Sequence, residues 1–316
     1  MICQESGIVN TPILSVLPLL GTFLLLDTWG TMRPTSTHQN PRMGKPIFTD
    51  PIAQEYYRQG ETELETTQSA EAVLRKAEAF GQKDARAEIM RSAFYFLAAA
   101  YFLERRDVGQ SAQAYHQAGQ QLHRLAQYTQ AGRAYSNAGR LAERAAQTAG
   151  VDSSQHDLQH FAVRSYSRAN HCFAEVGELE WSEAEYLNER NARVAWAKMQ
   201  GKHPWAQLAW KATSNYGTSF SRWGLWVLGT IGLFGSLYEL FFQLHWLQPI
   251  ESGASVPWIP FWSGVYYSVN VTAALGLVDY QPTHILSQGI VIVNVLMGYI
   301  LLGIGIGIIG RMARFH

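Results

Sequence analysis

The sequence predicts an all-α membrane protein: a cytoplasmic helical-hairpin solenoid followed by a domain of two apolar spans with a re-entrant loop between them. Three observations predict it. Charged residues crowd into residues 50–200 and almost vanish from 223–310. Two uncharged or nearly uncharged stretches, 223–246 and 286–309, each reach the roughly 20 residues needed to cross a bilayer core of ~30 Å. Within 50–200 a short phrase of small and aromatic residues recurs at helical spacing.

Composition narrows the function. The 316 residues have room for two modest domains. The charged fraction is 16%, below the ~25% typical of soluble domains. Net charge is zero, so nothing points to nucleic acid. Cys3 and Cys172 are far apart and read as two unpaired thiols, with no disulfide framework and no zinc spacing. There is no G-x-x-x-x-G-K-[ST], G-x-S-x-G, H-E-x-x-H or C-x-x-C pattern. His156, His160 and His171 lie on one predicted helix and read as polar-face residues. The expectation is a non-enzyme with no catalytic residue, no bound metal and no cofactor.

Residues 1–49 form an apolar segment and a linker. Ile8 to Leu26 is apolar but broken by Asn10, Pro12 and Pro18, and no positive region precedes it. Three readings stay open: an extra span, a disordered or peripheral segment, or an upstream start codon with Met32 or Met43 as the true start. Arg33, Arg42 and Lys45 follow it, so as a span it would leave the next residues in the cytoplasm. Residues 27–50, rich in Thr, Pro and Asn, read as linker.

Residues 50–200 read as consecutive helices: Ser69 to Phe80, Ala85 to Arg105, Gly109 to Gln127, Tyr128 to Ala149, His156 to Val176 and Trp181 to Met199. The phrase Ala114-Tyr115-His116-Gln117-Ala118-Gly119 returns as Ala134-Tyr135-Ser136-Asn137-Ala138-Gly139, and more loosely as Ser165-Tyr166-Ser167-Arg168-Ala169-Asn170. Small residues beside aromatic ones let neighbouring helices nest. The stretch resembles tetratricopeptide-repeat proteins of the soluble NSF attachment protein type, though without a strict period. The resemblance implies a curved surface for a cytoplasmic protein or peptide partner. Arg133, Arg140 and Arg144 with Gln117, Gln120 and Gln121 are candidates for that surface; a solvated helix face is the plainer reading. Residues 201–221, with Trp205, Leu208, Trp210, Tyr216 and Phe220, read as an interfacial linker helix.

The last domain is 222–316. Arg222 precedes the first span, and Arg311 and Arg314 follow the second. The positive-inside rule puts both outer flanks in the cytoplasm and the joining loop outside. That loop begins with turn residues and then turns apolar and aromatic, through Trp258, Phe261, Trp262, Val265, Tyr266 and Tyr267. A water-exposed loop has no use for such residues; a short helix dipping back into the membrane does. Irregular backbone at that depth is tolerated when buried in protein or lining a water-filled path. Glu239, inside the first span, is costly there; it either snorkels to the outer interface or hydrogen-bonds the re-entrant helix near Tyr266 or Tyr267.

Span, re-entrant helix, irregular segment, span is an order that resembles two-transmembrane potassium channels. Residues 258–282 are similar to that family's pore helix and filter, and the resemblance covers about 222–312. The family pattern T-V-G-Y-G-D falls on Ala274, Leu275, Gly276, Leu277, Val278 and Asp279, with Pro282 as the proline that follows. Thr272 and Ala273 lead into it. Only Gly276 and Asp279 match. The family's filter strips an ion's water with rings of backbone carbonyls, which needs alternating backbone handedness. Gly276 keeps the first left-handed position, but Val278 takes the second, where a β-branched residue is an outlier. Ala274 lacks the family's hydroxyl and Leu277 its bracing tyrosine hydroxyl. The resemblance therefore implies a homotetramer in the cell (inner) membrane, repeats and C-terminus cytoplasmic, passing K⁺ or Na⁺ with weak selectivity. Asp279 would draw cations to the outer mouth, and Gly298 in the second span would be the hinge. The alternative is a membrane-anchored repeat scaffold whose pore does not conduct.

Overall fold

The computed structural model describes residue 48 and residues 50–149, 153–250, 257–276 and 279–312. The apolar segment 8–26 lies outside the described residues. Eleven helices and one short strand pair make up the described chain.

Seven helices come first: α1 (Pro51–Thr67), α2 (Ala70–Gly81), α3 (Arg86–Leu103), α4 (Val108–Arg124), α5 (Tyr128–Thr148), α6 (Ser153–Glu175) and α7 (Leu179–Met199). From α2 on, each packs against the next in sequence. Two of their starts, those of α2 and α4, are capped by side chains. The Ser69 hydroxyl accepts from the Ala72 N–H at 3.4 Å, and the Asp107 carboxylate accepts from the Gln110 N–H at 2.9 Å. Three of the ends, those of α4, α6 and α7, share one turn. At Ala126, Gly177 and Gly201 the backbone turns left-handed (φ 58°, 74° and 70°). The next N–H then reaches back five residues: Gln127 to the Leu122 carbonyl, Glu178 to Phe173 and Lys202 to Ala197. These are Schellman closures, which pair otherwise orphaned carbonyls at a helix end.

The repeated phrase explains the packing. A Cβ at Gly119 would sit 2.9 Å from the Tyr135 ring, and one at Gly139 2.7 Å from the Tyr166 ring. The tyrosine of each phrase thus lies on the glycine of the phrase before it. Helix α1 sits in a stretch to which the periodicity assigns no helix. Its buried face is Ala53, Tyr57, Gly60 and Leu64, a weak apolar signal among Thr, Glu and Gln.

The linker helix, α8, covers only Trp205–Ser214 rather than all of 201–221. It stops because Asn215, Tyr216 and Gly217 are successively left-handed (φ 50°, 60° and 82°). Tyr216 is buried in that elbow, edge-on to Trp210, and its carbonyl accepts from the Tyr186 hydroxyl at 3.4 Å. Trp205 on α8 is 76% exposed.

Helix α9 (Phe220–Gln243), strand β1 (Leu247–Pro249), helix α10 (Trp262–Thr272), strand β2 (Tyr280–Pro282) and helix α11 (Ile285–Met312) complete the chain. Helices α9 and α11 are each long and apolar enough to cross a membrane. Helix α11 buries a single stripe: Ser287, Asn294, Leu301 and Ile308, seven residues apart, with Gly298 and Gly305 beside them. The stripe faces α9 and α10. The rest of α11 is equally apolar and uncovered, with Ile292, Leu296, Ile300 and Ile306 all more than half exposed.

Candidate functional site

Helix α10 is short, apolar and clamped at both ends. Its N-terminus is held by α9. The Glu239 carboxylate oxygen Oε2 accepts from the Trp258 indole N–H at 2.8 Å and from the Phe261 backbone N–H at 3.0 Å. Phe261, which precedes the first turn, is left-handed (φ 67°), an unusual state for an aromatic residue. A carboxylate here satisfies an orphan helix donor and complements the positive end of the helix. Glu239 therefore reaches the turn ahead of α10, not Tyr266 or Tyr267. Tyr267 packs edge-on against Tyr238 instead, with ring centroids 4.7 Å apart.

The middle of α10 crosses α9 closely. Gly235 and Gly264 face each other, and a methyl on Gly264 would overlap the Gly235 carbonyl oxygen. The C-terminal end is tied to α11. The Thr272 hydroxyl donates to Asn294 Oδ1 at 2.9 Å, and Asn294 Nδ2 donates to the Tyr238 hydroxyl at 3.0 Å. One fully buried amide thus joins α9, α10 and α11. Four residues on, Gly298 lies against the Thr272 carbonyl, where any side chain would overlap that oxygen. Close approach requires glycine at Gly298, and α11 runs unbroken through it.

Helix α10 ends in a Schellman closure with Ala274 in the left-handed place. Ala274 N–H donates to the Val271 carbonyl and Leu275 N–H to the Asn270 carbonyl, at 3.1 and 3.0 Å. Ala274 has φ 52° and Gly276 φ 70°, while Leu275 between them does not. Left-handed backbone thus falls on Ala274 and Gly276, two residues apart. Ala273 to Gly276 are exposed, and Leu275 is 57% exposed. Leu277 and Val278 lie outside the described residues.

Asp279 is exposed where the chain rejoins the fold. Its carbonyl accepts from the Ile250 N–H at 3.0 Å. Strands β1 and β2 then pair antiparallel, with Leu247 opposite Pro282 and Pro249 opposite Tyr280. This ribbon fastens the segment after Gly276 to the end of α9. Trp258 lies edge-on to Tyr280 and stacks on Phe242, centroids 5.0 and 4.4 Å apart.

The sequence singles out residues 272–279, Glu239 and, in the re-entrant segment, Trp258, but not Asn294 or Tyr238. A lone amide in an apolar stretch was the available signal for Asn294.

On the repeats, the surface candidates do not assemble. Arg133 and Arg144 are exposed on α5, Arg140 bonds to Asn137, and Gln121 accepts from Arg124. Gln117 and Gln120 face α6 instead. The histidines also separate: His156 and His160 pack on Trp196, while His171 pairs with Glu175. Two acids lie between repeats, Glu185 buried and Glu143 half-buried. Glu185 accepts from the Ser136 hydroxyl at 2.6 Å and Glu143 from the Tyr166 hydroxyl at 2.9 Å. Burial raises both carboxyls above their usual range, and those bonds only partly offset it. No cluster of three or more His, Cys, Asp or Glu able to hold a metal occurs among the described residues. Comparison with family models, with curated proteins and with solved structures gives no match for this chain.

Proposed function

We propose that this chain is one subunit of a tetrameric, weakly selective cation channel, set in a membrane with its repeats on the cytoplasmic side. The reading is supported above all by the way α10 ends. A short helix stops among apolar neighbours and passes into exposed backbone that is left-handed at alternate residues, Ala274 and Gly276. Alternation of that kind turns successive carbonyls toward one side, as a path that strips water from ions needs. One copy has one such segment and cannot enclose a path; closed four-fold symmetry would. The uncovered apolar surfaces of α9 and α11 would then meet lipid and the other copies. Among the described residues of 223–310 the only charges are Glu239 and Asp279. Glu239 is spent on α10, so Asp279 would provide the field at the mouth.

Leu275 favours a second reading, a membrane-anchored repeat scaffold. Its exposed side chain would narrow any path that its backbone lines.

Reversal potentials of purified protein in liposomes under opposed K⁺ and Na⁺ gradients decide between them. A reversal near zero is expected, with Asp279→Asn lowering the current. Reversal at the K⁺ equilibrium value would replace weak selectivity by strict selectivity. No current above empty liposomes, with residues 50–200 present or removed, would leave the scaffold.

A further inference from the structure

The groove between α4 and α6 is lined by Gln113, His116, Gln117 and Gln120 on one side and by Phe161, Arg164 and Arg168 on the other. It holds about 460 Å³, within the size of small-molecule sites (~300–1,000 Å³). No carboxylate of the described residues lines it.

Its charge is fixed and uncompensated. Arg168 Nη1 lies 2.9 Å from His116 Nε2, and His116 Nδ1 lies 3.0 Å from the Ser165 hydroxyl. Arginine can only donate, so Nε2 accepts and the imidazole proton is on Nδ1, facing the buried Ser165. Burial, with Arg168 and Arg164 nearby, lowers His116 to about 4, so the ring is neutral at physiological pH. It orients Arg168 without adding charge. Arg164, one turn earlier, makes no ion pair or hydrogen bond with the described residues; its guanidinium rests over the Phe161 ring at 5.8 Å. Two like charges one turn apart on a helix repel each other. An anion between them relieves that repulsion, and guanidinium groups bind phosphate oxygens two at a time.

We propose that this groove binds a small phosphorylated molecule. The phosphoryl dianion sits between Arg164 and Arg168, and the rest of the molecule lies along Phe161 and the amides of Gln113, Gln117 and Gln120. The site stands whether or not the chain conducts ions.

Calorimetric titration of the full chain in detergent tests it, with inorganic phosphate as probe against chloride at equal ionic strength. Saturable binding of phosphate alone is expected. Arg164→Gln should weaken it at least tenfold, Arg164→Gln/Arg168→Gln should abolish it, and Arg133→Gln/Arg144→Gln on α5 should leave it unchanged. Arg164 is exposed, so its single variant decides the matter even if the double variant does not fold. Phosphate binding no better than chloride, or insensitive to Arg164→Gln, overturns the proposal. So does an acidic peptide that binds this groove while phosphate does not.

Discussion

Helix α5 buries twelve of its 21 residues against its neighbours, whereas α11, with 28 residues, buries one narrow stripe. The contrast runs through both halves. From α2 to α6 each helix packs against the next helix of the same chain. In α9 and α11 only 28% of the apolar window is buried. An amphipathic helix is finished once its apolar face is covered. A helix apolar on every side is finished only when everything around it is apolar. The repeats are thus complete within one copy, and the apolar helices are not.

Separating the halves tests that difference most strongly. Residues 50–202 made alone should be soluble, helical by circular dichroism and cooperative in thermal unfolding. Residues 203–316 should stay in solution only with detergent. A fragment 50–202 that aggregates would show that the repeats need the apolar helices after all.

Adding one methyl in each half should sharpen the contrast. Gly139→Ala pushes on the edge of the Tyr166 ring, which can give by a few tenths of an ångström. Gly298→Ala pushes on the Thr272 backbone carbonyl, which cannot. Overpacking costs about 1–3 kcal/mol. Gly139→Ala should fall near the lower end and Gly298→Ala at or above the upper, both read from unfolding midpoints in detergent. Equal effects would mean that α11 can move off α10 as freely as a ring can tilt.

Glu239 comes next in size. Hydrogen bonds to a charged group contribute about 1.5–3 kcal/mol. Glu239→Ala should destabilise clearly and Glu239→Gln, which keeps an acceptor oxygen, much less. Quenching of Trp258 fluorescence by a water-soluble quencher should rise in Glu239→Ala, because the indole loses its partner.

The smallest effect expected is the pH response of the repeats. Folding raises the Glu185 carboxyl, so its protonated form is the one favoured in the fold. Its contribution is greatest below the ordinary carboxylate range and is lost as pH rises through the folded value. Glu185→Gln should therefore melt higher than the parent at pH 8, and that advantage should disappear at acidic pH.

How much was legible depended on where the information sits in the chain. Helix starts at Ser69 and Asp107 and the stop at Gly177 are local, and the expected helices fall within a few residues of those observed. Helix α1 was missed because Ala53 and Gly60 on its buried face hardly register as apolar. The β1–β2 ribbon is only three residues long on each side and carries Pro249 and Pro282, which argue against strand in a sequence. The candidate site was legible as a segment, 272–279, but not as a structure. Thr272 and Asn294 are 22 residues apart, and Tyr238 and Asn294 are 56 apart. His116 and Ser165 meet across 49 residues. No periodicity within one helix reports such pairs.

The Glu239 bonds also set an order of events at the ribosome. Their partners Trp258 and Phe261 are 19 and 22 residues further along, so the carboxylate is made well before either N–H exists. An acidic side chain at the centre of an inserting helix costs about 2.5–3.5 kcal/mol on translocon scales, and less near an end, where Glu239 sits on α9. In a bilayer, α9 alone would carry that cost until the turn before α10 had been translated. The first apolar helix would then settle only together with the loop that follows it, and the timing of synthesis would become part of how the chain finds its fold.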